Sequence, residues 1–217
     1  MRRGTMKRWI ALLALAAVVC GAAPGVAAAA TATTRTAHVN AAQLSLAYPK
    51  AWTVVPYKRK EMLAQRKALA KRNPQLADAF DVESTKMVAR TTKFHAVDLD
   101  AQLAGKPSAN VSVSVVPGSG FPPSLESFRT VFVPGLKSRG ATDVQTSTTK
   151  LRGRSAYRLE ARMRANTVDG APLMGHLGQL MIEHPAGAAI VTVVAFPGMP
   201  TDPDVLIDDI LASVRVT

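Results

Sequence analysis

The sequence predicts an α/β domain of the α+β type, in which a mainly antiparallel sheet packs against helices. Residues 109–116 and 154–164 alternate apolar and polar side chains, as half-buried antiparallel strands do. Residues 58–72 consist of helix formers, and residues 201–214 place apolar side chains at helical spacing. Short turns join the later strands, and this favours hairpins over parallel crossovers.

The composition fits one folded domain and excludes several kinds of site. The chain has 217 residues, of which 47% are hydrophobic and 19% charged, so it can bury a core. A single cysteine excludes an internal disulfide, a cysteine-based zinc site and an iron–sulfur cluster. Lys and Arg number 27 against 15 for Asp and Glu, and a net charge of +12 favours anionic partners.

Residues 1–30 have the pattern of a secretory signal peptide. The first eight residues include four cations, and an apolar run of eleven residues follows, too short as a helix to span a bilayer. Small residues come next, so we expect cleavage within 28–32, which removes the four cations and leaves +8 of the +12. A buried N-terminal helix is the alternative.

Cys20 raises the possibility of a lipid anchor, because bacterial lipoproteins are cleaved just before a modified cysteine. The bulky Val19 disfavours such a cut, although Gly21 fits it. We therefore predict a secreted or cell-envelope-associated protein, with lipidation at Cys20 less favoured. Residues 31–42 are small and polar, which predicts a flexible lead-in.

A single domain is predicted over residues 43–217. It opens with short strands at 43–48 and 52–55, followed by a basic helical insertion at about 58–90, in which Pro74 separates two helices. A later helix carries Phe128, Phe132 and Leu136, and Pro134 with Gly135 should break or kink it. Further strands are predicted at 93–99, 109–116, 143–151, 154–164, 173–183 and 188–196. The last of these is continuously apolar, as a central strand would be.

Four short motifs resemble the PsbP-like superfamily. They are residues 46–52 (LAYPKAW), 109–113 (ANVSV), 151–157 (LRGRSAY) and 210–214 (ILASV). The resemblance covers about residues 43–216. The members of this superfamily include photosystem II extrinsic proteins, a Ran-binding nuclear transport factor and secreted actinobacterial proteins. It is closest to uncharacterised secreted actinobacterial members.

This resemblance implies an α/β/α sandwich that binds protein partners, without a shared set of catalytic residues. In that reading Tyr48, Pro49 and Trp52 are strand-end and packing residues rather than ligands. The sequence thus predicts Trp52 to be buried near the start of the sheet.

No motif for catalysis, cofactor or metal binding stands out. The chain has no Gly-x-Ser-x-Gly, no phosphate-binding loop and no His-Glu-x-x-His. The acidic pairs Asp98/Asp100 and Asp208/Asp209 fit a strand end and the solvated face of a helix. His176 and His184 lie eight residues apart on one predicted strand, about 26 Å, too far to share a metal ion. The sequence favours no cofactor and a non-enzymatic role.

The clearest functional signal is the charge of residues 58–72. Lys60, Lys67 and Lys71 fall within about 40° of one another on a helix, with Met62 and Leu69 on the opposite side. Arg59 and Arg66 add to the positive charge. These cations are candidates for binding an anionic partner, and the alternative is a solvated face that keeps the protein soluble. Nucleic acid is not expected, because export is predicted and the chain lacks an aromatic-interleaved basic strand.

Two functional hypotheses follow. The first is a secreted or cell-envelope interaction domain that binds a protein or an anionic envelope component. The second is a small-ligand carrier or hydrolase that uses a cleft between sheet and helices. A closed apolar pocket with converging polar groups would favour the second hypothesis. No later segment has 18 consecutive apolar residues, so no membrane span is expected in the mature chain.

Overall fold

The structure is a computed structural model that describes residues 33–72, 90–118, 126, 128–166 and 172–217. The strands in this part of the chain are β1 Thr34–Val39, β2 Leu44–Pro49, β3 Thr53–Val54, β4 Thr92–Val97, β5 Asn110–Pro117, β6 Thr142–Leu151, β7 Arg154–Asn166, β8 Pro172–His184, β9 Gly187–Ala195 and β10 Arg215–Val216. The helices are α1 Arg59–Arg72, α2 Leu99–Leu103, α3 Val133–Lys137 and α4 Pro203–Ala212. A 3-10 turn, Asn40–Ala42, follows β1, and a π-helical turn, Phe128–Phe132, precedes α3.

The strands form two antiparallel sheets. Seven strands follow the order β3-β4-β5-β9-β8-β7-β6, and a smaller sheet has the order β1-β2-β10. The apolar strand β9 lies in the middle of the large sheet between β5 and β8, with most of its residues buried. The predictions of a mainly antiparallel sheet and of a central strand here are confirmed.

Helices pack on both faces of the large sheet. Leu180 and Ile182 of β8 share one core with α4 and with the small sheet. Leu177 and Met181, on the opposite face of the same strand, share a second core with Leu136 of α3. This layering follows from the alternation of β8, which is apolar on both sides.

The C-terminal helix joins the two sheets. Asp202 caps its N-terminus by accepting hydrogen bonds from the backbone N–H groups of Asp204 and Val205. At the other end the Ala47 N–H of β2 donates to Ser213 Oγ at 2.8 Å. Four of the five buried residues of α4 are those expected from the spacing in the sequence, namely Leu206, Ile207, Ile210 and Leu211; the fifth is Pro203.

The prediction of a flexible lead-in over residues 31–42 is wrong for Thr34–Ala42. Thr34–Val39 pairs with β2 along its whole length and buries Ala37 and Val39 against the core. Arg35 also donates to the carbonyl of Trp52 at 2.6 Å and lies over the ring of Tyr48. Pairing with β2 decides the structure here, because the small, polar side chains of this segment carry little strand signal of their own.

Tyr48 and Trp52 have the packing role that the resemblance implied. Each is 4% exposed, and the ring of Tyr48 meets that of Phe94 edge to face at 5.1 Å between centroids. At the position of the predicted kink, one helical segment ends and another begins. The π-helical turn ends at Phe132, and Pro134 lies in the first turn of α3. A proline is tolerated there because the first N–H groups of a helix have no partner within it.

Several predictions fall outside the described residues. These are the signal peptide, Cys20, the second helix that follows Pro74 and residues 73–89 of the basic insertion. Where the chain is described, no helix is long and apolar enough to cross a membrane.

Candidate functional site

The predicted cationic face is carried by α1. Met62 and Leu69 are 1% and 4% exposed, so one side of this helix is buried. Lys60, Lys67 and Lys71, which we call the basic stripe, are exposed. The structure therefore brings these three predicted residues together on one surface, as a helical period of 3.6 residues requires.

In the described part of the chain, two ion pairs lie at the ends of α1. Lys58 pairs with Glu61 at 3.5 Å, and Arg72 pairs with Asp100 at 3.2 Å, which links α1 to α2. Within the described part of the chain, the three ammonium groups of the stripe form no ion pair.

Arg59 and Arg66, the two arginines predicted to add to the stripe, also lie on α1. Arg66 is exposed but already interacts with another group, and Arg59 is the first residue of α1. The stripe is therefore the candidate site, and the arginines are its neighbours.

A groove of about 230 Å³ lies between α4 and strands β6 and β7. Its walls carry charged side chains of both signs, among them Glu160, Arg162, Asp204 and Asp208. A cleft between sheet and helix of this kind is what a small-ligand carrier or hydrolase would need.

The charges of this groove neutralise one another. Asp204 accepts two hydrogen bonds from Arg162, at 2.9 and 3.0 Å, and its Oδ1 lies 2.7 Å from His176 Nδ1. These contacts, that of Arg162 above all, lower the pKa of Asp204 to about 2. The groove is thus a polar helix–sheet contact and lacks the closed apolar pocket that would favour a carrier.

Arg158 forms the second ion-paired centre of the groove. It donates to Glu160 at 2.6 Å and to Asp208. Partial burial opposes ionisation of the guanidinium, but the hydrogen bonds to Asp208 and Glu160 outweigh it, so the pKa of Arg158 is raised. Asp208 is exposed, as the sequence predicted, yet it has this structural partner.

The other acidic pair also has a structural role. Asp98 caps α2 by accepting a hydrogen bond from the Ala101 N–H at 3.1 Å. Burial raises the pKa of Asp98. Asp100 is the residue that pairs with Arg72. Both residues therefore serve the junction of α1 and α2, and this geometry gives no sign of an acid–base pair.

A row of polar side chains that the sequence analysis missed crosses the large sheet. Gln179, Thr192, Ser112 and His95 lie directly opposite one another on β8, β9, β5 and β4. Gln179 is fully buried, and its Nε2 donates to Thr192 Oγ1 at 3.1 Å. Its Oε1 has no hydrogen-bond partner among the described residues. Burial lowers the pKa of His95 to about 4.

The only sequence signal of this polar row was the alternation of residues 109–116, which places Ser112 and Ser114 on one face. The alignment with Gln179 depends on the strand register, and register is a property of the folded sheet. Among the described residues, no three His, Cys, Asp or Glu side chains gather in a way that could hold a metal ion.

Comparison with known proteins finds likeness at the level of structure only. No family model and no curated protein matches this chain. Solved structures that resemble it include the solution structure of the cyanobacterial PsbP protein (CyanoP) from Synechocystis sp. PCC 6803, at 15% identity and a TM-score of 0.49, covering 91% of this chain and 98% of that one.

Two further structures show weaker likeness. The Ran-binding protein Mog1p of Saccharomyces cerevisiae has 10% identity and a TM-score of 0.45, with coverage of 86% of this chain and 96% of that one. A protein of unknown function from Pseudomonas aeruginosa, PA94, has 15% identity and a TM-score of 0.35. The match covers 42% of this chain and spans only 60% of the length of PA94.

CyanoP and Mog1p are the two kinds of protein that the sequence motifs pointed to. The predicted resemblance is confirmed to this extent. At 10–15% identity and with TM-scores below 0.5, the likeness concerns the course of the chain alone.

Proposed function

We propose that this protein is a non-enzymatic interaction domain that binds an anionic partner through the basic stripe of α1. The observation that carries the proposal is the two-sided character of this helix. Met62 and Leu69 anchor it, while Lys60, Lys67 and Lys71 face solvent without an ion pair in the described part of the chain. Exposed like charges that are not neutralised attract an anionic surface over about one Debye length.

The partner is an anionic component of the cell envelope or an acidic protein outside the cytoplasm. The signal-peptide pattern of residues 1–30 supports this location, and the mature chain keeps a charge of +8 out of +12. Expression in a secreting host tests the location. We expect the exported protein to begin after a cut within residues 28–32, and an N-terminus at Met1 or an acylated Cys20 would contradict it.

Co-sedimentation tests the binding. The secreted protein is mixed with anionic vesicles and with purified cell wall, at low and at high salt. The variant Lys60→Glu/Lys67→Glu/Lys71→Glu changes the charge of the mature chain from +8 to +2. We expect this variant to lose binding, and the wild type to release its partner at high salt, because the Debye length falls from about 10 Å at 0.1 M to about 3 Å at 1 M.

A matched control separates the stripe from net charge. Lys50→Glu/Lys93→Glu/Lys106→Glu makes the same charge change at exposed lysines elsewhere. This control variant should bind nearly as well as the wild type. The free energy of unfolding of both variants should lie within about 0.5 kcal/mol of the wild-type value, as is usual for exposed substitutions. Equal binding by the stripe variant and the wild type would leave the stripe as a solubilising surface only.

A further inference from the structure

Strand β6 ends the large sheet, and its outer edge lies open among the described residues. Of the described strands only β7 pairs with it, through a register that runs without interruption from Gln145, opposite Glu160, to Leu151, opposite Arg154. About half of the backbone N–H and C=O groups of an edge strand point away from its neighbour. Over seven residues this edge is about 23 Å long.

The side chains of β6 leave this edge accessible. Seven of its ten residues are exposed, and from Ser147 to Lys150 four consecutive residues are exposed, so both faces of the strand meet solvent there. The opposite edge of the sheet, β3, has only two residues, Thr53–Val54. A long edge is normally shielded by proline, by charges or by a bulge, since it can pair with another chain.

The protection that β6 has is confined to its first residues. A register shift lies between Thr142 and Gln145, and Asp143 has a φ of 51°, which re-directs the chain at that end. From Gln145 to Leu151 the strand contains no proline, no bulge and one charge, Lys150. A regular, unshielded pairing edge therefore begins where the irregularity ends.

The regular part of the strand, Gln145–Leu151, carries only positive charge. Between Gln145 and Arg152 there is no acidic residue on the strand or its turn, while Lys150 and Arg152 are exposed at its end. Arg129 is also exposed and donates from Nε to the Thr146 hydroxyl at 3.1 Å. The acids of the nearby groove, Asp204 and Asp208, are engaged by Arg162 and Arg158. An occupant thus meets cations at the Lys150 end of this edge, while at the other end Asp143 is exposed and Glu160 is paired with Arg158.

We propose that β6 is a docking edge for an extended acidic segment of a partner protein, which adds to the sheet as an eighth strand along Gln145–Leu151. Main-chain hydrogen bonds would supply most of the affinity, and Lys150, Arg152 and Arg129 would select acidic side chains. This edge and the basic stripe of α1 consist of different residues, far apart in sequence, so the two proposals stand independently.

A nuclear magnetic resonance titration of the secreted protein tests this proposal. The probe is a capped eight-residue peptide that alternates glutamate and valine. We expect shifts of backbone amides within 145–152 and in the facing part of β7, together with slower hydrogen exchange at the outward N–H groups of β6. The same peptide with four consecutive N-methylated residues cannot pair as a strand and should not bind.

Two variants complete the test. Lys150→Glu/Arg152→Glu should weaken peptide binding several-fold, and a lysine–valine peptide should bind the wild type more weakly than the glutamate–valine peptide. The stripe variant Lys60→Glu/Lys67→Glu/Lys71→Glu should keep the shifts on β6. Shifts confined to α1, undiminished binding of the N-methylated peptide, or a dimer paired through β6 without peptide would each overturn the proposal.

Discussion

The carboxylate of Asp204 and the guanidinium of Arg162 form two parallel hydrogen bonds, 2.9 and 3.0 Å long. Asp204 lies in the first turn of α4 and Arg162 on β7, so the pair fastens the start of the helix to the outer part of the sheet. His176 of β8 contacts the same carboxylate at 2.7 Å. A paired fork of this kind fits Arg better than Lys, because the guanidinium is planar and presents two N–H groups in parallel.

Asp204→Asn should reduce the acid sensitivity of stability. The pKa of Asp204 is about 2 in the folded chain and 3.8 ordinarily. Its contribution is therefore fully present above pH 3.8 and is lost as the pH falls towards 2. Because Asp204 is about half exposed, we expect a loss of about 0.5–1 kcal/mol at neutral pH. Urea unfolding between pH 2 and 7 measures this, with Asp209→Asn, at an exposed position of the same helix, as the control.

His95 gives a second, separate pH window. Burial lowers its pKa to about 4 from the ordinary 6.5, so the unfolded chain binds a proton more readily than the folded chain between these values. The contribution of neutral His95 to the free energy of unfolding should therefore be fully present above pH 6.5 and fall as the pH drops towards 4. A proton resonance titration of the His95 ring should give a midpoint well below 6.5, and His95→Gln should flatten the stability profile in this range. A ring that titrates near 6.5 would contradict the lowered pKa of His95.

Gly178→Ala should destabilise the contact between α4 and the sheet. A β-carbon at Gly178 would overlap Cγ2 of Ile207 and lie 3.2 Å from Cδ1 of Leu211. Overpacking of this kind costs about 1–3 kcal/mol. Ile207→Leu removes the branched methyl, so the double variant should recover part of the loss. Additive losses in urea unfolding would show that the overlap is relieved by another route.

Trp52→Ala should remove a large part of the stability. The side chain is 4% exposed within the main core, and its truncation should leave a cavity that costs about 3–5 kcal/mol. A typical domain has about 5–15 kcal/mol in total. Trp52→Phe, which keeps an aromatic ring, should lose less. Thermal unfolding of both variants is the measurement, and an unchanged midpoint for Trp52→Ala would contradict its place in the core.

Local sequence patterns determined much of the secondary structure of this protein and the buried faces of its helices. Alternation along 109–116 and 154–164 indicated strands that the structure contains, and the helical period of residues 58–72 placed Met62 opposite the basic stripe. The same holds for the apolar face of α4. These features depend on local periodicity, which a single sequence expresses directly.

Only the tertiary structure decided the features that depend on residues far apart in sequence. Thr34–Val39 is a strand because β2 pairs with it, and the row from Gln179 to His95 exists because four strands have one particular register. The same applies to the contact of Arg162 with Asp204, 42 residues away. The open edge of β6 is likewise a consequence of strand order. Register and order are set by burial of the whole core, so no local pattern reports them.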